Sequence, residues 1–385
     1  MSITKTLISN FNKVRQRTES ICAPLEKEDY AIQPTEDVSP PKWHLGHTTW
    51  FFEQFILVQY VEDYQVFNKE FSFIFNSYYE KLGERILRTD RGNLSRPTVD
   101  EVYAYRKYVD KIMEQHLPAL SCDEIESILT IGLNHEEQHQ ELLITDIKYI
   151  LGHNPLLPSY GYFKAHLPIE ENEEWVQMKR GQYDIGFRGD TFCFDNELNP
   201  HTVFIEEYAI RNTLVSNQEY LAFVENGGYQ KFDLWHSEGW DWVQKNENKS
   251  PMYWHKLNGK WNHYTLEGLQ ELDLNAPVTH INYFEAFAFA QWAGHRLPTE
   301  FEWEAANQQF KWGQCWEWTE SAYLPYPGYK KPDGALGEYN GKFMVNQKVL
   351  RGASVATSPS HSRSTYRNFF QSHLRWQYTG IRLAK

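Results

Sequence analysis

The sequence has few cysteines, and their arrangement predicts neither a disulfide framework nor a zinc ribbon. Only four occur in 385 residues, namely Cys22, Cys122, Cys193 and Cys315, and no two form a Cys-x-x-Cys pair. Closely spaced cysteine pairs are typical of disulfide-rich secreted domains and of structural zinc sites. We therefore interpret all four as free, buried thiols.

Long apolar runs and basic runs are also missing. No stretch approaches the twenty apolar residues of a membrane-spanning helix, and the start, MSITKTLISNFNKVRQ, lacks the apolar centre of a signal peptide. We expect a cytoplasmic protein with no membrane partner. The formal net charge is −13, and Lys and Arg form no long run. Because nucleic-acid binding needs a basic surface, we expect no nucleic-acid partner.

The pattern of apolar residues predicts two domains of different class. Apolar positions recur at three- and four-residue spacing in four segments, near 3–22, 41–62, 99–117 and 123–151. Such segments indicate amphipathic helices that pack as a bundle. After a Pro-, Gly- and Asn-rich stretch from about 152, short strand-like runs alternate with loops, and two helical segments stand out near 216–226 and 282–293. We predict a helical domain over 1–155 and an irregular α+β domain over 156–385.

Two of the bundle helices carry recognisable start signals. Ser39 precedes Pro40 in SPPKWHLGH, so the serine is expected to cap the second helix while the proline occupies its first turn. Asp123, followed three residues later by Glu126, matches a capping box and is expected to cap the fourth helix.

The fourth helix carries two histidines in a position that suits a metal site. In LNHEEQHQELL, His135 and His139 are four residues apart, which places them roughly 40° apart on one helical face. Two imidazoles so placed can reach one metal ion. Gln138 lies to the side, where its amide can reach a ligand bound at that metal. Asp146 lies nearly two turns further along and can offer only indirect support.

A catalytic metal needs a third ligand, and KWHLGHTTWFF offers two candidates. His44 and His47 are three residues apart, so both cannot point ideally into a bundle. The apolar residues that follow, among them Trp50 and Ile56, favour His47 as the inward-facing histidine.

The histidine pair has two competing interpretations. An isolated His-x-x-x-His pair often lies on the surface without a function, or forms a hydrogen-bonded pair in a core. HEEQH also matches the His-Glu-x-x-His pattern of zinc metalloproteases, in which the glutamate is the general base. The downstream third ligand of those enzymes is not evident after His139.

Several motifs together resemble one family. PPKWHLGHTTWFFE and NHEEQHQELL resemble the DinB-like metal-binding bundle of the ergothioneine-pathway sulfoxide synthases. Later stretches, including HRLPTEFEWEAA, CWEWTESAY and VLRGAS, resemble the formylglycine-generating-enzyme-like domain, a C-type-lectin-related fold. The motifs follow in order over most of the chain. The resemblance implies a DinB-like four-helix bundle followed by a formylglycine-generating-enzyme-like, substrate-binding domain.

The resemblance also implies a metal and a reaction. The family binds non-haem Fe(II) through three histidines, which by motif position are His47, His135 and His139 here. Its reaction uses O₂ to join a cysteine-type thiol to the imidazole C2 of hercynine, the Nα-trimethyl form of histidine, and to oxidise the sulfur to a sulfoxide. Three neutral imidazoles leave positions open on an octahedral iron for substrates and O₂. We expect Fe(II) as cofactor, O₂ as co-substrate, and hercynine and cysteine or a cysteine derivative as partners.

Two tyrosines and a glutamine match further positions of the family. Tyr78 and Tyr79 in FNSYYE match a tyrosine pair that lies beside the iron in one branch, where a phenol can donate a proton to reduced oxygen. In other proteins such a dipeptide is usually core packing. Gln138 matches a residue that contacts the substrate imidazole, in agreement with its place on the helix.

The motif RNFF matches positions associated with hercynine recognition. Asn368, Phe369 and Phe370 are the matching residues. A trimethylammonium group has no N–H to donate, so aromatic faces can hold it through cation–π attraction, while the amide can hold the carboxylate. Without the resemblance, the two phenylalanines would read equally well as core residues.

One departure from the family bears on the thiol donor. The branch that uses γ-glutamylcysteine has an acidic residue at the position of Phe370 and an arginine at that of Leu374, and neither charge is present. Free cysteine is therefore favoured, with Arg85 and Arg88 as candidates to bind its carboxylate. A synthase of γ-glutamylcysteine, ovothiol-type or selenium-containing products remains an alternative.

Other functions make different predictions. Formylglycine generation needs cysteines in the C-terminal region, and none follows Cys315, so we set that activity aside. A bundle that stores or senses a metal would be stabilised by metal without thiol-dependent O₂ uptake. A zinc hydrolase would turn over peptides or amides and be indifferent to oxygen. The sequence leaves the oligomeric state open.

Overall fold

The chain divides into two compact units. The computed structural model describes residues 5–77, 83–120, 122–163, 168–169, 172–331, 340–359 and 361–385. The first unit holds the residues up to Gly161 together with Ala356–His361, and the second holds Tyr162–Val355 and Ser362–Lys385. A short segment from late in the sequence thus belongs to the first unit.

The first unit is helical, as expected. Its helices are α1 (Lys5–Cys22), α2 (Pro41–Phe52), α3 (Val58–Tyr60), α4 (Phe71–Phe75), α5 (Val99–His116) and α6 (Asp123–Gly152). A π-helical turn at Glu53–Leu57 joins α2 to α3. The four helices predicted from apolar spacing are therefore confirmed to within a few residues. Among the described residues, no helix combines the length and the apolar content needed to cross a bilayer.

Both predicted caps are wrong by one residue. Pro40 is the N-cap of α2, and the hydroxyl of Ser39 instead accepts a hydrogen bond from Arg91 at 2.9 Å. At α6 the N-cap is Cys122, and Asp123 is the first helical residue. Acidic residues in the first turn still interact favourably with the positive end of the helix dipole. The acidic residues therefore predicted the start of α6 correctly, although another residue is the cap.

The second unit is an α+β domain with small sheets. Its helices are α7 (Asn217–Glu225), α8 (Ser237–Asn246), α9 (Tyr283–Trp292) and α10 (Glu300–Ala306), and its strands are β1 (Trp175–Met178), β2 (Gly181–Ile185), β3 (His201–Ile205), β4 (Tyr208–Arg211), β5 (Trp254–Leu257), β6 (Lys260–Thr265), β7 (Gly268–Glu271), β8 (Trp316–Ala322), β9 (Gln347–Gly352), β10 (Asn368–Gln371) and β11 (Thr379–Gly380). The sheet orders are β1-β4, β2-β3, β5-β6-β7 and β10-β9-β8-β11, with only the β8–β11 pair parallel.

Two helices of this unit were expected and two were not. The predictions near 216–226 and 282–293 correspond to α7 and α9. The spacing of apolar residues did not predict α10, because three of its buried residues, Glu300, Glu302 and Glu304, are charged. Each is paired with an arginine, so several buried positions of this helix are charged in sequence. Hydrophobic periodicity does not reveal a helix buried in this way.

A glycine allows close packing around α2. A Cβ at Gly46 would lie 2.1 Å from Cε1 of Phe75, which is closer than carbon atoms approach. The Phe75 ring is buried and packs against Phe71 and Tyr105. The bare glycine therefore lets the end of α4 approach the segment of α2 that carries His47.

We predict that Gly46→Ala lowers the free energy of unfolding by about 1–2 kcal/mol, because overpacking outweighs the gain in helix propensity. Urea unfolding measures the effect, with Ser127→Ala at an exposed position of α6 as control. The control should change stability by less than about 0.5 kcal/mol. Unchanged stability of Gly46→Ala would show that the Phe75 ring moves aside freely.

Candidate metal centre

Three histidines from two helices come together inside the first unit. His47 of α2 and His135 and His139 of α6 each offer a ring nitrogen, and these nitrogens lie within 4.8 Å of one another. Nε2 of His47 is 3.2 Å from Nε2 of His135. Among the described residues, no other group of three His, Cys, Asp or Glu side chains is arranged in this way.

The ring of His47 is fixed on both faces and at one nitrogen. It stacks on Trp43 with ring centroids 4.6 Å apart and on Trp50 with centroids 5.7 Å apart. Its Nδ1 lies 2.6 Å from the carbonyl oxygen of Phe75, which can only accept a hydrogen bond. Nδ1 therefore carries the proton and donates, and Nε2 keeps a lone pair.

The His139 ring is supported by another histidine. Nδ1 of His139 is 2.9 Å from Nδ1 of His44, and Nε2 of His44 is 3.0 Å from Oδ2 of Asp146. His44 and His47 are thus both buried, at 2% and 0% exposure, although their spacing suggested that only one would point inward. His44 lies next to the cluster without joining it.

Burial keeps the three clustered rings neutral. Loss of solvent lowers the pKa of His135 to about 4, and it lowers the pKa of His47 and His139 well below the usual value. The neighbouring histidine rings lower the pKa of His47 and His139 further. Imidazole binds metals in its neutral form, so this environment favours the state that a ligand needs.

The glutamate of HEEQH does not act as a free base. Glu136 is fully buried, with one oxygen 2.9 Å from Nη1 of Arg15 and the other 2.6 Å from Nη2 of Arg106. Thr18 also donates to it at 2.6 Å. Burial raises the pKa of Glu136, but the two arginines outweigh this and lower it to about 2. A carboxylate held in this way is a poor general base, which argues against the zinc metalloprotease interpretation.

Other predicted site residues lie in different parts of the chain. Gln138 is half-buried on α6, between the two histidines in sequence. Tyr78 and Tyr79 lie outside the described residues. Their predicted role is therefore neither supported nor opposed by the geometry.

The predicted hercynine-binding residues form strand β10 of the second unit. Phe369 stacks on Tyr323 with centroids 4.1 Å apart, and Phe370 packs edge-on against Trp376 at 5.9 Å. The backbone N–H of Phe369 donates to Oδ1 of Asn368 at 2.9 Å. All three are half-buried, and their role toward a substrate stays a prediction.

The segment Ala356–His361 contacts the metal-bearing helix. The Thr357 hydroxyl donates to Glu141 at 2.7 Å, and the Ser358 hydroxyl donates to Gln140 at 2.6 Å. His361 Nδ1 lies 3.2 Å from a carboxylate oxygen of Glu137. Local sequence patterns gave no sign of these contacts, because each partner is separated from the segment by more than two hundred residues.

Comparisons with known proteins match both parts of the chain. The DinB superfamily model matches residues 10–143, and the model of the sulfatase-modifying factor enzyme 1-like domain matches residues 164–312. A hercynine oxygenase of Mycobacterium tuberculosis is 28% identical over 70% of this chain and 73% of its own length. A hercynine oxygenase of Mycolicibacterium smegmatis is 27% identical over 77% of this chain and 80% of its own length.

The chain is similar to hercynine oxygenases over 66–77% of its length. It joins a DinB-like region to a sulfatase-modifying-factor-like region in the order predicted from the motifs. Ergothioneine biosynthesis protein 1 of Schizosaccharomyces pombe is also similar, with 25% identity over 50% of this chain and 28% of that protein. The predicted resemblance to ergothioneine-pathway sulfoxide synthases, the fold class and the oxygenase class of enzyme are thereby confirmed.

We predict that Glu136→Gln lowers the free energy of unfolding by about 3 kcal/mol, because it removes the fully buried carboxylate that Arg15 and Arg106 share and leaves them only their more exposed partners, Asp110 and Glu19. Urea unfolding followed by circular dichroism measures the loss. Glu114→Gln, at an exposed position of α5, is the control and should change stability by less than about 0.5 kcal/mol. A loss no larger than that of the control would mean that the buried pairs do not stabilise the bundle.

Proposed function

We propose that this protein is an Fe(II)- and O₂-dependent sulfoxide synthase that joins a cysteine-type thiol to the imidazole C2 of hercynine. The observation that carries the proposal is the buried cluster of His47, His135 and His139 in a chain homologous to hercynine oxygenases. The homology supports the class of enzyme and the substrate hercynine. The histidine cluster supports a metal.

Two of the three histidines fit a metal ion by distance, and all three fit it by protonation. Imidazole nitrogens bind zinc at about 2.0–2.1 Å, so two of them on one ion lie about 3 Å apart. The 3.2 Å between Nε2 of His47 and Nε2 of His135 agrees with this. All three rings favour the neutral form. Both iron and zinc accept such a donor set, and the oxygenase homology favours iron.

The roles proposed for the chain's own residues follow from the family resemblance. Ferrous iron, when bound, supplies the reactivity toward O₂ that joining carbon to sulfur and oxidising the sulfur require. His47, His135 and His139 hold it and leave coordination positions open for substrates. Gln138 orients the substrate imidazole, and one of the two tyrosines, Tyr78 or Tyr79, donates a proton to reduced oxygen.

The carboxylate and the trimethylammonium group of hercynine require partners other than the metal ligands. Asn368 binds its carboxylate, and the faces of Phe369 and Phe370 hold its trimethylammonium group. For the thiol, free cysteine is favoured, since Phe370 and Leu374 provide no charge for the extra amine and carboxylate of γ-glutamylcysteine. Leu374 is also buried, at 8% exposure.

The reaction balances with one molecule of O₂. The imidazole C–H and the thiol S–H are lost, and a C–S bond and an S–O bond are formed. One oxygen atom enters the sulfoxide, and the other leaves as water with the two hydrogens. Carbon–sulfur bond formation and sulfur oxidation each release two electrons, and O₂ accepts all four.

We predict that the protein, loaded anaerobically with Fe(II) and then given hercynine, cysteine and air, forms the sulfoxide. Mass spectrometry should detect the sum of both substrates plus one oxygen and less two hydrogens. Parallel reactions with γ-glutamylcysteine test the donor. Cysteine sulfinate as sole product, with hercynine unchanged, would contradict the proposal, and so would peptide or amide hydrolysis supported by zinc.

We predict that His139→Ala abolishes stable iron loading, since two imidazoles hold a catalytic metal poorly. Iron content after desalting measures the loss, and circular dichroism checks that the fold is kept. The control is His153→Phe, at an exposed position near the end of α6, which should load iron normally. Normal iron content in His139→Ala would show that the ligand set is misassigned.

A further inference from the structure

A buried chain of hydrogen bonds leads from His139 to a carboxylate. His139 Nδ1 is 2.9 Å from His44 Nδ1, and His44 Nε2 is 3.0 Å from Oδ2 of Asp146. His44 and Asp146 are each 2% exposed. Water therefore has little access to these groups, and the proton positions are set by the partners themselves.

With His44 neutral, its partners favour one arrangement of protons. Oδ2 of Asp146 accepts a hydrogen bond from the backbone N–H of Ser39 at 2.8 Å, so this oxygen is an acceptor toward His44 as well. His44 Nε2 must then carry the proton of its ring. A neutral imidazole has a single N–H, which makes His44 Nδ1 an acceptor. His139 Nδ1 therefore donates to it, and the lone pair of His139 is on Nε2.

We infer that His44 and Asp146 are positioning residues of the metal centre, which hold His139 in the tautomer whose Nε2 binds the metal. The inference rests on the proposed metal site and adds to it two residues that do not touch the ion. Partners of this kind fix the orientation of a ligand ring and raise its basicity.

The contrast with His47 shows why the carboxylate is needed. His47 donates to the carbonyl oxygen of Phe75, which can only accept, so one contact fixes its tautomer. A histidine can either donate or accept, so His44 alone would leave the tautomer of His139 undetermined. Asp146 accepts a hydrogen bond from His44 and so fixes the tautomer of His44, which in turn fixes that of His139.

The carboxylate is itself held at the start of α2. The backbone N–H of Ser39, directly before the N-cap Pro40, binds Oδ2 of Asp146, and the Ser39 hydroxyl accepts from Arg91 at 2.9 Å. The Arg91 guanidinium lies 3.3 Å from the centroid of the Trp43 ring, which stacks on His47. The residues that hold the rings of His139 and His47 are therefore in contact with one another.

His44 acts beside the cluster and does not complete it. Among the described residues, the group arranged to hold a metal comprises His47, His135 and His139. His44 uses Nδ1 for His139 and Nε2 for Asp146, so both ring nitrogens are engaged. Removing His44 should therefore weaken metal binding without abolishing it.

We predict that His44→Phe weakens metal binding by about 10- to 100-fold, the range for lost partners of ligand histidines. The full-length, metal-free protein is titrated with Co(II) against a chromophoric chelator under argon, and the visible absorption of bound Co(II) is recorded. His44→Gln offers an amide oxygen to His139 Nδ1 and should recover part of the affinity. His153→Phe is the matched control and should bind as the unmodified protein does.

Asp146 is tested through its coupling to His44. Asp146→Ala should weaken Co(II) binding, and Asp146→Asn should weaken it less, because its amide oxygen still accepts from His44. If the two residues act in one chain, His44→Phe combined with Asp146→Ala should bind no more weakly than His44→Phe alone. Independent, multiplying losses would contradict the chain.

The outcomes separate this inference from the metal site. If the unmodified protein binds no Co(II), or His139→Ala binds it equally well, the proposed metal site itself fails. If His139→Ala abolishes binding while His44→Phe matches the unmodified protein in affinity and absorption, only the inference is overturned. It is also overturned if His44→Gln and His44→Phe lose affinity equally and both lower the melting temperature of the metal-free protein, because the role is then structural.

Discussion

The interior of the helical unit depends on one buried carboxylate. Glu136 on α6 binds Arg15 on α1 and Arg106 on α5, and these arginines in turn donate to Thr49 and Thr48 on α2. Four helices therefore meet around this carboxylate and its two arginines. Removing such charges from water is costly, so the arrangement holds only while every partner is in place. This requirement fixes the rotation of α6 about its own axis.

The fixed rotation has a consequence for the two histidines on the same helix. Because Glu136 faces α1 and α5, His135 and His139 are turned toward α2 and its His47. The glycine at position 46 permits the close approach of Phe75, whose carbonyl oxygen accepts a hydrogen bond from Nδ1 of His47. The polar network and the small residue thus bring the three rings together.

The second unit also pairs its buried carboxylates with arginines, in an interior that is predominantly aromatic. Glu300, Glu304 and Glu317 are buried, and each is paired with an arginine, namely Arg367, Arg351 and Arg382. Around them, tryptophan and tyrosine rings fill the core, among them Trp303, Trp316 and Trp318. The many aromatic residues of the sequence are therefore largely structural.

The sequence predicted the features that repeat locally and missed those set by distant partners. Long amphipathic helices and the spacing of His135 and His139 follow from helical geometry, so both could be read directly. The cap of α2 could not, since Ser39 is engaged by Arg91 and Asp146 from elsewhere in the chain. Glu136 was open to interpretation as a catalytic base because its arginines are far away in sequence.

The central claim is that three imidazoles hold ferrous iron in the helical unit. X-ray absorption spectroscopy at the iron edge of the anaerobically loaded protein tests it most directly. The account predicts a first coordination shell with three imidazole nitrogens, completed by water in the absence of substrates. A shell that contains protein carboxylate or sulfur ligands in place of these imidazoles, or iron that is lost on desalting, would contradict it.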